Sequence, residues 1–163
     1  MEKTITIKGV GSISAIPDYV VISMFVDSDG KEYDEAIEIA KNKMEQLTET
    51  LVSVGFEKTD IKTISFFASA KTKTDRGQDG FLEDVFCGFR VSHYIKVEFS
   101  FEPQRLSDML SAISKCEVKP VLSVDFTVKD SFAINEKMLK AVAADARKKA
   151  ETLCEELNVE LPK

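Results

Sequence analysis

His93 is the single histidine of this 163-residue chain, so any imidazole acid–base step or histidine-based triad must run through it. It sits in phase with Val91, Ile95 and Val97, on the face of a strand pattern that reads as buried. Cys87 shares that parity but lies six residues away, roughly 20 Å along an extended strand. A Cys–His pair would need the chain to fold back near Gly88. His93 is therefore expected to be a core or sheet-edge histidine with one nitrogen satisfied. Cys87, Cys116 and Cys154 are an odd number with no CxxC spacing. They read as buried free thiols, not as zinc ligands or a disulfide framework.

Gly9-Val10-Gly11 invites a nucleotide-loop reading, but Ser14 stands where the third glycine belongs and alternating strand follows, ending at Pro17. Without a helix N-terminus there is no ring of free N–H groups to hold phosphate. Asp27, Asp29 and Glu38 fall at the first, third and last positions of a calcium-loop register, yet Lys31 and Glu32 occupy its fifth and sixth positions. The register needs an oxygen ligand and a glycine there, so it fails. Asp75 to Gly80 fails as well, because Phe86 stands at its last position. Both stretches read as solvated turns. The row Arg90, Tyr94, Lys96 and Glu98 is the better candidate for contacts. If helices cover Val91 and Ile95, this row lies on the other side of the sheet, either solvated or at an interface, where Tyr and Arg are enriched.

The elements that must position these residues follow from periodicity. Thr4–Ile16 alternates, with Ile5, Ile7, Ile13 and Ala15 on one face of a long strand. Gly9 and Gly11 interrupt that face and suggest a bend, a bulge or close backbone approach. Tyr19–Asp27 reads as a second, central strand covered on both sides. Tyr33, Ile37, Ala40, Met44, Leu47, Leu51 and Val54 form one helical stripe, with Gly55 as its stop. A third strand is expected over Ile61–Lys71, with Ile64, Phe66, Ala68 and Ala70 in phase. A polar hairpin loop is expected over Thr72–Gly80, then a returning strand from about Leu82 to Glu102, broken or bulged at Gly88. Pro103 opens a short helix whose Leu106, Met109, Leu110 and Ile113 point inward. The last strand is expected over Val121–Lys129, and Asp130 and Ser131 are candidate caps for the last helix. That helix, Ser131–Leu157, carries Leu139, Val142, Ala146, Ala150, Leu153 and Leu157 on one stripe, and the rest of the chain reads as the sheet that receives it.

The order β-β-α-β-β-α-β-α contains the split βαβ arrangement. The expected class is α+β. A mixed or antiparallel sheet carries helices mainly on one face, as a ferredoxin-like βαββαβ core plus an extra N-terminal strand and a long C-terminal helix. One domain over residues 1–163 is the natural reading of this length, burying roughly 70% of the unfolded surface. Hydrophobic residues at 44% and charged residues at 31% fit a globular chain. A net charge of −6 with no Lys/Arg-rich run argues against a general nucleic-acid binder. No apolar run reaches membrane-span length. The chain enters its strand pattern directly after Met1-Glu2-Lys3, with no signal peptide.

Three segments, in order, resemble the SIMPL-domain family, the YggE-like proteins linked to oxidative-stress defence. Ile7–Asp18 resembles that family's "G-x-G … P-D" opening. Gly88-Phe89-Arg90-Val91-Ser92-His93 resembles its "G-[YF]-R-x-[ST]-N" strand, with His93 in place of the usual Asn. Lys140–Glu151 resembles its "K-A-[VI]-x-D-A-R-x-K-A-E" helix. Family members commonly continue into further strands and many carry a signal peptide, so a removed leader would allow the periplasm or cell envelope. The resemblance implies a non-enzymatic, often self-associating domain, with a branch named for a signalling kinase and bacterial members tied to stress resistance and the envelope. It supplies no catalytic residue, cofactor or metal ligand. The expectation is a SIMPL-like oligomerisation or protein-interaction module, with Arg90, Tyr94 and Lys96 as the candidate interface. The alternative is a small-ligand or envelope-component binding domain, which needs a mostly apolar pocket with a few polar groups. A hydrolase built from carboxylates alone has no supporting spacing.

Overall fold

Val20, Ile22, Met24 and Val26 are buried in strict alternation with the half-buried Tyr19, Val21, Ser23 and Phe25, and Tyr19–Gly30 is the strand around which the sheet is built. The computed structural model describes residues 4–76 and 81–160, which fall into two compact units: Asp18–Thr127, and the described residues of Met1–Pro17 with Val128–Lys163.

In the larger unit the elements are β1 (Tyr19–Gly30), α1 (Tyr33–Ser53), a 3-10 turn (Lys58–Asp60), β2 (Ile61–Arg76), β3 (Leu82–Ser100), α2 (Pro103–Lys115) and β4 (Val121–Thr127). The four strands form one sheet in the order β2-β3-β1-β4. Every neighbouring pair is antiparallel, which settles the mixed-or-antiparallel alternative. With α1 and α2 against one face, this is the expected α+β, βαββαβ arrangement.

The covered face pairs Val20 with Phe99, Ile22 with Val97, Met24 with Ile95 and Val26 with His93. These residues close over Leu47 and Leu51 of α1 and Met109 and Ile113 of α2. Burying each such aliphatic side chain contributes about 1.5–3 kcal/mol. Pro103 stands in the first turn of α2 as its fixed φ favours. The Arg105 guanidinium lies 4.5 Å from the Phe56 ring centroid and closes that end of the core. Glu35 in the first turn of α1 accepts from the Lys31 N–H at 2.7 Å, satisfying a donor just ahead of the helix.

Two irregularities correct the sequence expectations for β2 and β3. Ile64 is bulged out of the ladder between Thr63 and Ser65, so it is exposed instead of in phase with Phe66. The extra residue shifts parity: Ile61 and Thr63 share the covered face before it, Phe66, Ala68 and Ala70 after it. The second lies at Lys71/Thr72, where Lys71 pairs with Gly88 and Thr72 with Phe86, leaving Cys87 unpaired. Cys87 is exposed, against expectation, because the whole Leu82–Cys87 stretch of β3 is exposed on both faces, while Cys116 and Cys154 are the buried thiols. Gly88 has φ +125°, and a β-carbon there would collide with the Gly30 carbonyl oxygen. The ladder then runs on to Arg76 opposite Leu82. Most of the expected loop from Thr72 is therefore strand, and residues 77–80 lie outside the described residues.

In the smaller unit α3 spans Ser131–Glu156, and Asp130 caps it by accepting from the Ala133 N–H at 2.9 Å. The expected strand over Thr4–Ile16 is corrected: these residues join no ladder among the described residues. They run antiparallel to α3, since Lys8, Val10 and Gly11 meet Lys149, Asp145 and Val142 in turn. Burial still alternates over Ile7–Ser14, which marks an extended chain. Of the alternatives for the two glycines, close approach is what is found. A β-carbon at Gly11 would lie 2.9 Å from Cγ2 of Val142, and one at Gly9 would collide with the Val142 carbonyl. The α3 stripe is covered only in part: Cys154 is buried, but Leu139 and Leu157 are each 66% exposed.

Candidate interaction surface

The alternation that buries one row of β1 and β3 must present the other row. On the open face Tyr19, Val21, Ser23, Phe25, Asp27 and Asp29 of β1 lie opposite Ser100, Glu98, Lys96, Tyr94, Ser92 and Arg90 of β3. Tyr94 is the middle of an aromatic row crossing three strands. Its ring centroid is 4.4 Å from Phe25 on one side and 5.9 Å from Phe67 on the other. Val121 of β4 extends the row beyond Phe25. Tyr94 is 40% and Phe67 50% exposed, well above what ring packing between neighbours requires.

Ion pairs flank the row on both sides. Arg90 donates from Nε to Asp29 Oδ1 at 2.7 Å and from a terminal nitrogen to Oδ2 at 3.0 Å, a two-point fork. Lys71 also binds Asp29. Ser92 Oγ donates to Asp27 at 2.6 Å, and Arg90 lies 3.5 Å from the same carboxylate. The Arg90 fork, aided by Lys71, holds the Asp29 carboxyl well below the usual carboxylate range. On the other side Lys96 meets Glu98 at 2.5 Å and Lys62 approaches Glu98 at 3.8 Å. Lys96 lowers the Glu98 pKa. Exposed pairs like these stabilise the fold little, roughly 0–1 kcal/mol each. What they do is balance charge.

Arg90, Tyr94 and Lys96 do share this face, as strand parity required. Phe25, Phe67, Asp29 and Lys71, which complete the surface, were not singled out for it. Phe25 and Asp29 have the parity of one β1 face, and Phe67 the parity opposite to Phe66, Ala68 and Ala70, so that signal was present. Asp27 and Asp29, considered as calcium ligands, instead engage Arg90, Lys71 and Ser92. Asp75 lies in β2 beside Lys73 at 3.1 Å.

His93 sits on the covered face, half-buried, as expected, with one satisfied nitrogen. Nε2 lies 3.1 Å from Thr63 Oγ1, while the buried Nδ1 has no partner among the described residues. The Phe66 ring meets it edge-on at 5.3 Å, and burial lowers its pKa. It lines a cleft of about 380 Å³ with Ile37, Ala40, Met44 and Phe66.

The family model for SIMPL, described as a protein of unknown function (DUF541), matches residues 5–163. The chain belongs to the SIMPL family. Two of the SIMPL-like segments meet within the smaller unit: Gly9 and Gly11 lie against Val142, and Asp145 accepts from the Val10 N–H at 2.7 Å. The third places Gly88 at the bulge and Arg90 in the ionic cluster. No curated protein matches the chain in sequence. Among solved structures, the ATP complex of GlnK from B. subtilis is 8% identical, covers 67% of this chain and 84% of its own, and gives a TM-score of 0.42. The de novo designed protein Ferredog-Diesel is 10% identical over 70% of this chain and 90% of its own, with a TM-score of 0.31. No helix of the described residues is long and apolar enough to cross a membrane.

Proposed function

We propose that this SIMPL chain is a self-associating interaction module without chemistry of its own, and that the open sheet face carries the contact. The observation behind this reading is the exposed row Phe67–Tyr94–Phe25, which is aromatic at its centre and charge-balanced at both sides. Such a layout matches an interface with an apolar centre and a polar rim. Its charges also suit a second copy. A two-fold through Tyr94 sets the Asp29–Arg90 side against the Lys96–Glu98 side, with both signs present on each. Arg90 and Lys71 are engaged by Asp27 and Asp29, and Lys96 and Lys62 by Glu98. The link to stress defence and the cell envelope implied by the family resemblance is the setting proposed for the module.

Light scattering across a dilution series tests this. The expected result is an assembly whose dissociation constant rises about 30-fold in Tyr94→Glu, the size of one central aromatic anchor. A strict monomer, or an assembly indifferent to Tyr94→Glu, refutes the open face as the contact. The second reading, a binder of a small apolar ligand, is favoured by the cleft beside His93. It predicts a rise in melting temperature with such a ligand, lost in Ala40→Trp.

A further inference from the structure

Residues 4–16 have the composition of a strand and the extended form of one, but one edge has no partner. In an extended chain the N–H and C=O groups of successive residues point to opposite edges. The Val10 N–H meets Asp145 at 2.7 Å, and the Lys8 carbonyl accepts from Lys149 at 3.4 Å. Even-numbered residues therefore address the edge held by the polar side of α3. Ile5, Ile7, Gly9, Gly11, Ile13 and Ala15 direct their backbone groups to the other edge, where none is hydrogen-bonded by any described residue. A row of unpaired backbone groups is a template for another strand.

We propose that a second copy of this chain fills that edge, its own residues 4–16 running antiparallel with Val10 opposite Val10. The inference rests on the self-association reading and adds a contact distinct from the open sheet face. The segment reads almost the same in both directions about Val10. Gly9 falls opposite Gly11, Ile7 opposite Ile13, Thr6 opposite Ser14 and Lys8 opposite Ser12. Lys8, the one charge of the segment, thus meets a hydroxyl and not its own counterpart. The free edge also sets which pairs bond: odd-numbered pairs exchange backbone hydrogen bonds. Val10 faces Val10 as a non-bonded pair, with Cα atoms about 4.5 Å apart. The even-numbered edge keeps its Asp145 and Lys149 contacts. Each copy then contributes two self-complementary surfaces, the strand edge and the sheet face.

Symmetric cysteine cross-linking tests this, because a 4.5 Å Cα separation lies within disulfide range. The background is Cys87→Ser, since Cys87 is exposed while Cys116 and Cys154 are buried. Val10→Cys is expected to form a disulfide dimer at least about tenfold faster than Ile16→Cys, a more exposed position serving as collision control. Lys8→Cys alone is expected not to cross-link, whereas Lys8→Cys mixed with Ser12→Cys does. Tyr94→Glu added to Val10→Cys leaves the cross-link in place, which separates the two surfaces. Equal rates for Val10→Cys and Ile16→Cys overturn the pairing. An assembly by light scattering with no Val10→Cys cross-link overturns the pairing and leaves self-association standing. A monomer with no cross-link overturns both.

Discussion

Two stretches of this chain set every second side chain on one face over comparable lengths, and only one of them is a strand. β1 runs between β3 and β4 with partners on both edges. Residues 4–16 lie along α3 with no ladder among the described residues. Alternation dictates an extended backbone and which side chains share a face. It does not dictate a neighbour. The neighbour comes from what else in the chain can bring a complementary row to the same edge, and for β1 the connections through α1 and β2 to β3, and through α2 to β4, do that. For residues 4–16 two glycines replace the side chains that would have built a sheet face, and a helix takes the space.

The comparison breaks most sharply on equal truncations. Ile22→Ala, in the fully buried row of β1, is expected to cost about 2–5 kcal/mol in urea unfolding, and Ile7→Ala less than about 1 kcal/mol. Equal losses would mean that residues 4–16 are as integral to the core as β1. A smaller effect separates the glycines. Gly88→Ala forces a side chain into a φ of +125° against the Gly30 carbonyl and is expected to cost about 1–3 kcal/mol. Gly9→Ala acts locally, lifting the segment off α3; amide exchange at Val10 is expected to rise about tenfold or more. Unchanged exchange there would contradict the close approach.

The smallest effect concerns His93, opposite Val26 of β1. Burial holds its folded pKa below 6.5, so between the two values the unfolded chain binds the extra proton and the folded one does not. Stability from this group is fully present above pH 6.5 and is lost as pH falls below it. Urea midpoints followed down from neutral pH should fall in the native protein and flatten in His93→Phe. The charged side chains lining the same cleft are Lys41, Glu45, Glu49 and Lys58.

Much of the fold was legible where local periodicity is undisturbed. Pro103 opening α2, Asp130 capping α3, and the opposed rows of β3 follow from local rules that no distant contact overrides. Part of what escaped was set by a single inserted residue. Ile64 is apolar and in phase by counting, and only the ladder shows that it is the extra residue. Cys87 reads as buried by parity, yet it lies in the Leu82–Cys87 stretch of β3, where residues of both parities are exposed. The partly bare α3 stripe escaped for a different reason: helical spacing shows that a face exists, not what covers it. The open face was half legible, since Arg90, Tyr94 and Lys96 could be aligned from β3 alone, but only the strand order and register set Phe25 and Phe67 on either side of Tyr94.

The Ile64 bulge also bears on how this molecule survives at high concentration. β2 is an outer strand of the sheet, sixteen residues long, and a flat edge of that length would invite fibrillar stacking. The bulge twists that edge, and Lys62, Lys71 and Lys73 add charge along it. Deleting Ile64, which restores an unbroken ladder, together with Lys62→Thr is expected to raise thioflavin-positive aggregation without loss of core packing. A strand defect that looks like poor ladder geometry therefore acts as a guard on colloidal behaviour.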